Sequence, residues 1–236
     1  SRIKRWILLG HRWLGIGTCL LFFLWFLSGV VMMYVGHPKL TWQERLEHLP
    51  PLEASQPLLS PADAFRQAGI HGTVTDLRLA NARAGRPVYI AQVRPDARPA
   101  PDAPRPAPRL VTLDAHTGAL LPPTDPATAL ASAQVYLEQG GLSPTSSSST
   151  LPASGPRQPS PASAQDTPGK PLYQGVTVED AHTHSAAMDL HRPLHKVLLP
   201  DAEQTLLYIS GTTGEVVRDA PRLERGFNYL GAWLHW

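Results

Sequence analysis

The sequence predicts a membrane-anchored α+β protein with one complete N-terminal transmembrane helix. Three observations predict this class. An uncharged apolar stretch runs from Trp13 to Val35. After it come two successive groups of predicted helices and antiparallel strands, and two stretches rich in Pro or Ser interrupt them. We therefore expect two small helix-plus-sheet units outside the membrane.

The apolar stretch has the length of a transmembrane helix, which needs roughly 20 apolar residues to cross a hydrocarbon core of about 30 Å. Residues 1–12 form a basic flank, and by the positive-inside rule this flank stays in the cytoplasm. The apolar core of a signal peptide is shorter, roughly 7–15 residues, and ends in a small-residue cleavage site. No such site follows Val35. We therefore expect an uncleaved anchor at residues 13–35.

The composition excludes several classes of function. A net charge of +2 gives no reason to expect a nucleic-acid partner. The single cysteine, Cys19, lies inside the apolar stretch, so the exported part has no disulfides. No serine-hydrolase elbow, zinc-protease motif or phosphate-binding glycine loop occurs in the sequence.

Two stretches with a strong compositional bias divide the exported part. Residues 94–108 are rich in Pro, Ala and Arg and predict an extended, solvated loop. Residues 143–171 are rich in Ser and Pro and predict a disordered linker. The first region then covers residues 36–142 and the second covers residues 172–221.

The first region predicts two helices and three strands. Ser60 is a suitable N-cap before Pro61, and this pair starts a helix that runs to about Ala68. Apolar residues at helical spacing predict a second helix from Pro126 to Gln139. Between the helices, β-branched residues predict strands at Val74–Ala80, Val88–Val93 and Leu110–Leu113.

The second region repeats this order. We expect a weak helix over Val178–Met188, followed by a hairpin of Leu194–Leu199 and Thr205–Ser210. The turn at Thr213-Gly214 and the strand after it resemble the turn at Thr117-Gly118. Together these features form a weak internal repeat.

Residues 222–236 are a juxtamembrane segment that becomes aromatic and apolar at its end. About ten uncharged residues cannot cross a bilayer. We expect the start of a second membrane helix that continues beyond Trp236; the alternative is a short aromatic anchor at the membrane interface.

Four sequence patterns together resemble one protein family. They are His11-Arg12-Trp13-Leu14-Gly15, Leu190-His191-Arg192-Pro193-Leu194, Thr213-Gly214-Glu215-Val216-Val217 and Asn228-Tyr229-Leu230-Gly231. The chain resembles the N-terminal half of PepSY-associated transmembrane proteins. The resemblance implies two PepSY-like units and further membrane helices. Some members are inner-membrane ferric-siderophore reductases that carry haem b, whereas PepSY modules elsewhere are inhibitory or chaperone-like propeptides of secreted proteases.

Three histidines are candidate haem ligands. His11 and His235 each lie at the mouth of a membrane segment, and His37 is a weaker candidate at the outer end of the first span. Haem iron is bound by imidazoles in an apolar cleft, and ionisable groups in membrane segments are often functional. The alternative is that headgroups and water satisfy these side chains. Haem binding would need the missing C-terminal helices or a partner membrane subunit.

A second group of histidines is a weak candidate for a Zn, Cu or Fe site: His182, His184, His191 and His195. Their spacing matches no known zinc motif, and Pro193 opposes a helix that would align His191 with His195. Solvated or hydrogen-bonded histidines are the simpler interpretation.

The sequence supports two functional hypotheses for a protein of the bacterial inner membrane with a cytoplasmic N-terminus and a periplasmic bulk. The first is a transmembrane electron-transfer protein, which passes electrons through haem to a periplasmic ferric complex. The second is a non-enzymatic module, tethered among membrane lipids, that binds or regulates an exported protein or peptidase.

Overall fold

The computed structural model describes residues 2–34, 39–53, 55, 57–96, 107–140, 169–229 and 231. These residues form five α-helices, seven strands and one 3₁₀ helix. In chain order they are α1 (Arg2–Tyr34), α2 (Trp42–Glu47), α3 (Pro61–Gln67), β1 (Thr73–Arg83), β2 (Arg86–Arg94), β3 (Arg109–Asp114), α4 (Pro126–Gln139), β4 (Leu172–Thr177), the 3₁₀ helix (Ala186–His191), β5 (Leu194–Leu198), β6 (Leu206–Ser210), β7 (Val216–Ala220) and α5 (Arg222–Asn228).

The apolar stretch forms α1, a helix of 33 residues. At 1.5 Å per residue its length is about 50 Å. Among the described residues it is the one helix long and apolar enough to cross a membrane, a test that signal sequences also pass. Ser28 is its one buried residue. The helix is confirmed, and its insertion into a membrane stays a prediction.

The first unit is an antiparallel sheet in the order β1-β2-β3, with α3 on one face. The predicted helix after Ser60 and all three predicted strands are confirmed. Ser60 caps α3 by accepting a hydrogen bond from the Asp63 N–H. A tight turn after β3 needs a positive φ at Gly118, which is +67° there.

The second unit is an antiparallel sheet in the order β4-β5-β6-β7, covered on one face by α4. The predicted bounds of α4 are confirmed. This helix belongs to residues 36–142 in sequence, yet it packs on the second sheet through Ala129, Ala133, Tyr136 and Leu137. In both units a helix therefore precedes the sheet that it covers.

The predicted helix over Val178–Met188 is wrong for most of its length. Residues 181–183 form a turn, and only the end of the range joins the 3₁₀ helix. Asp180 explains the difference, because its side chain accepts hydrogen bonds from the His182 N–H and the Thr183 hydroxyl. Such local side-chain bonds compete with helix formation. Sequence reasoning also missed strand β4 and helix α2.

The two units are joined by direct hydrogen bonds. The Thr124 N–H, in the segment between β3 and α4, donates to the Gly211 carbonyl at 2.7 Å. The Ser132 hydroxyl of α4 donates to the Gly214 carbonyl at 2.7 Å and accepts a hydrogen bond from the Ala84 N–H of the first unit at 2.9 Å. Both glycines belong to the turn between β6 and β7. Most of the Pro-rich loop at 94–108 and almost all of the Ser/Pro linker at 143–171 lie outside the described residues.

Candidate functional site: a cleft between the two units

An open cleft of about 600 Å³ lies where the first sheet faces the 3₁₀ helix of the second unit. Its apolar lining comes from Leu40, Trp42, Leu110, Ala187 and Leu190. Its polar lining comes from Arg45, Asp76, Arg78, Gln92 and His191. Clefts of this size between structural units are common ligand sites.

The floor of the cleft is one row of side chains across the first sheet. Asp76 pairs with Gln92, and Gln92 pairs with Leu110, so the three share a face. The next row, beginning with Arg78, continues through Ile90, which is 1% exposed. The row of Asp76, Gln92 and Leu110 is therefore accessible from the cleft, and Arg78 borders it.

Below the cleft, Glu215 connects three elements of the fold. The carboxylate is 2% exposed. One oxygen forms an ion pair with Arg78 on β1, and the other lies 3.2 Å from a guanidinium nitrogen of Arg45 on α2. His191 Nδ1 lies 3.9 Å from the first oxygen. The cluster thus joins both units to the segment that follows α1.

Local structure positions both ends of this cluster. Thr41 and Glu44 form a capping box that starts α2 and orients Arg45. At the other end, the turn before Glu215 contains Gly214 with φ +78°. An added Cβ at Gly214 would meet the Arg83 side chain at 2.8 Å. The turn therefore needs glycine both for its backbone conformation and for the close approach of Arg83.

His191 occupies the polar end of the cleft, where its Nδ1 lies beside the Ser210 hydroxyl and the Glu215 carboxylate. The Ser210 hydroxyl oxygen accepts hydrogen bonds from the Thr212 and Thr213 N–H groups, at 3.2 and 3.0 Å. The same oxygen lies 3.1 Å from His191 Nδ1, and the Ser210 hydroxyl donates to the His191 carbonyl at 3.4 Å. Burial lowers the pKa of His191, and Arg45 and Arg78 lower it further, while Glu215 opposes them.

The structure does not bring the four predicted metal-binding histidines together. His195 Nε2 faces the Thr124 carbonyl at 2.9 Å, and its Nδ1 faces the Tyr173 hydroxyl at 2.8 Å. His184 pairs with Glu179 on an exposed turn. Both ring nitrogens of His195 are therefore used inside the protein.

His182 has its own polar surroundings. Its Nδ1 accepts a hydrogen bond from the Asn228 amide at 3.1 Å, and Tyr229 packs edge-on against the ring. Burial is the largest cause that lowers the pKa of His182. Within the described part of the chain, no group of three or more His, Cys, Asp or Glu side chains is arranged to hold a metal ion. The weak metal hypothesis for His182, His184, His191 and His195 therefore gains no support from the described residues and stays a prediction.

The described residues alone do not form a haem site. His11 is exposed on α1, and only Ser28 of that helix is buried, so no described element covers the helix at His11. His37 and His235 lie outside the described residues. The proposed roles of all three therefore stay predictions.

Sequence reasoning missed the residues that build the cleft, above all Arg45, Arg78 and Glu215. One signal was present: Glu215 is a lone acid immediately before the apolar pair Val216-Val217, which predicts a buried strand. A buried carboxylate needs cationic partners. Nothing in the sequence indicates that these partners lie 170 and 137 positions away.

The comparisons give no relatives to set beside this geometry. No protein-family model, curated protein or solved structure matches the chain.

Replacing Glu215 with Gln should destabilise the fold by about 3 kcal/mol, because the change leaves two guanidinium groups without their buried counter-charge. Pulse proteolysis in urea on the detergent-solubilised chain measures this loss. The matched control is Asp189→Asn, which removes an ion pair to Arg192 from a carboxylate that is 64% exposed and should cost about 0–1 kcal/mol. Equal losses in the two variants would contradict the central role of Glu215.

His191 should make the fold less stable in mild acid. Its folded-state pKa lies below the ordinary value of 6.5, so the unfolded chain binds more protons as the pH falls below that value. The stability contribution is complete above pH 6.5 and decreases as the pH falls towards the folded-state pKa. His191→Gln should reduce the difference in unfolding free energy between pH 7.5 and pH 5.5, measured by the same proteolysis assay. An unchanged difference would exclude this role for His191.

Proposed function

We propose that the chain is a PepSY-associated protein of the bacterial inner membrane. In this proposal α1 crosses the membrane with residues 1–12 in the cytoplasm, and the two helix-plus-sheet units lie in the periplasm. Support comes from the 33-residue apolar helix, which is exposed along nearly its whole length, and from the basic residues at its start. Each unit combines one helix with an antiparallel sheet, in agreement with the expected PepSY-like organisation.

The function that this geometry supports best is non-enzymatic. The two exported units form a membrane-tethered binding module for an exported protein or peptidase. The observation that carries this proposal is the cleft of about 600 Å³ between the units. Its lining mixes exposed apolar side chains, such as Trp42 at 61% exposure, with a few charged ones. Ligand-binding clefts are commonly lined by apolar side chains together with a few polar or charged groups.

The second candidate is haem-dependent electron transfer to a periplasmic ferric complex. It is favoured by a contact between the segment after α5 and the end of α1. An added Cβ at Gly231 would lie 2.8 Å from the Met32 side chain, so the segment after α5 packs against the end of α1. This contact is expected where a second membrane helix begins beside the first. Further helices or a partner subunit would then complete a bundle.

The same contact limits how histidines could share an iron. Met32 lies 21 residues along α1 from His11, which is about 31 Å at 1.5 Å per residue. Gly231 lies near the opposite end of α1 from His11, and His235 follows Gly231 by four residues in the sequence. In this proposal His11 and His235 therefore serve different haem groups, and each takes its second ligand from outside the described residues.

Docking in the cleft predicts a position-specific cross-link. A benzophenone-bearing amino acid at Gln92, on the cleft floor, should give a light-dependent adduct with an exported protein in intact cells. The matched control places it at Ala62, an exposed residue of α3 on the opposite face of the first sheet. Ala187→Trp should abolish the Gln92 adduct by filling the cleft. No adduct at Gln92, or equal adducts at both positions, would reject docking in the cleft.

Electron transfer predicts haem absorption bands in membranes that contain the full-length protein. A reduced-minus-oxidised spectrum should show them, and His11→Ala and His235→Ala should each remove part of the signal. Cys19→Ser, a change on the same helix away from His11, is the control and should leave the bands intact. Absence of bands, or bands that both histidine variants retain in full, would eliminate this candidate.

A further inference from the structure

We infer that the cleft recognises the free carboxylate at the C-terminus of an extended apolar peptide. This inference rests on the proposed docking function and specifies the chemistry of what docks. It follows from three features of the cleft: an excess of positive charge at one end, a row of acid, amide and apolar side chains along the floor, and an apolar rim.

The positive end has more cationic charge than Glu215 can neutralise. Arg45 and Arg78 carry two positive charges against the single carboxylate between them. Each guanidinium has five N–H donors, and each uses one nitrogen in its contact with Glu215. The two side chains are 17% and 21% exposed, so a ligand can reach them. A ligand carboxylate would accept charge-assisted hydrogen bonds from the guanidinium N–H groups that Glu215 leaves unused.

The floor determines which way the peptide lies. Asp76 is two positions from Arg78 on β1, which places it about 7 Å along the strand. Its negative charge repels a carboxylate placed beside it, so the carboxylate lies on the side of Arg78 that faces away from Asp76, although still close enough for Asp76 to weaken its binding. Gln92 on β2 lies between Asp76 on β1 and the apolar Leu110 on β3. Its side-chain amide can both donate and accept hydrogen bonds, which matches the N–H and C=O of a peptide group.

The dimensions of the cleft suit a short extended segment. The floor row crosses three strands, which at about 4.8 Å between neighbours gives a length of about 10 Å. Three residues of extended chain, at about 3.3 Å each, have this length. The side chains of Leu40, Trp42 and Leu190 line the cleft and provide apolar contact for the last residues. The favoured ligand thus ends in an apolar residue and carries no acid in the preceding positions.

The test compares two peptides that differ only at the terminal group. The probe is an acetylated tetrapeptide of three alanines and a C-terminal leucine, and its partner is the same peptide with an amidated C-terminus. Isothermal titration calorimetry is performed on the full chain in phosphatidylcholine nanodiscs. The free acid should bind at least about tenfold more tightly than the amide, a difference of about 1.4 kcal/mol.

Variants then locate the carboxylate. Asp76→Asn should tighten binding of the free acid by a factor of about 2–5, because it removes a nearby negative charge from an exposed position without touching Glu215. Arg78→Gln should reduce the preference for acid over amide to less than about twofold. The control Arg66→Gln, on α3 where Arg66 pairs with Asp63, should leave both affinities unchanged.

Several outcomes would overturn the inference: equal affinity for acid and amide, no binding of either, or an unchanged affinity in Asp76→Asn. Competition by acetate as strong as by the peptide would also overturn it, since the site would then bind small anions only. Carbonate extraction of the same membranes tests anchoring separately. The Gln92 cross-link tests docking separately, so a failure of the peptide inference is distinguishable from a failure of the proposed function.

Discussion

The buried carboxylate of Glu215 forms the interaction on which the arrangement of the two helix-plus-sheet units depends. A charge removed from water carries a desolvation cost of several kcal/mol unless it is paired with good geometry. Its two partners come from β1 of the first unit and from α2 behind the apolar helix. A shift of either element would leave the charge uncompensated. The ion pairs therefore fix the two units and the segment after α1 in one arrangement, even where their hydrophobic cores are separate.

The cleft is a consequence of this arrangement. Its floor belongs to the first sheet, its wall to the 3₁₀ helix of the second unit, and its rim to residues near the end of α1. Neither unit has the cleft by itself. The same guanidinium groups that neutralise Glu215 also line the cleft, which joins fold stability to the chemistry of binding.

Much of the fold could be predicted because its signals are local. The Ser60-Pro61 start of α3, the helical spacing in α4 and the β-branched strands each follow from a few neighbouring residues. Prediction failed where a side chain competed with the backbone, as at Asp180. It also failed at the edge strand β4, whose apolar residues Leu172 and Val176 lie on the exposed side of the strand. The hydrogen-bond partners of the histidines were not predictable for a related reason. His195 and His182 are close in sequence, but Thr124 binds one and Asn228 the other.

The sequence by itself determined the apolar helix and the number and order of most secondary-structure elements. These properties depend on composition and on periodicity within a few residues. Only the tertiary structure decided that α4 covers the second sheet rather than the first. It also decided that Arg45 and Arg78 meet at Glu215, and that a cleft opens above them. Such pairings join residues more than a hundred positions apart, and they are selected by the mutual fit of packed surfaces and the cost of burying a charge.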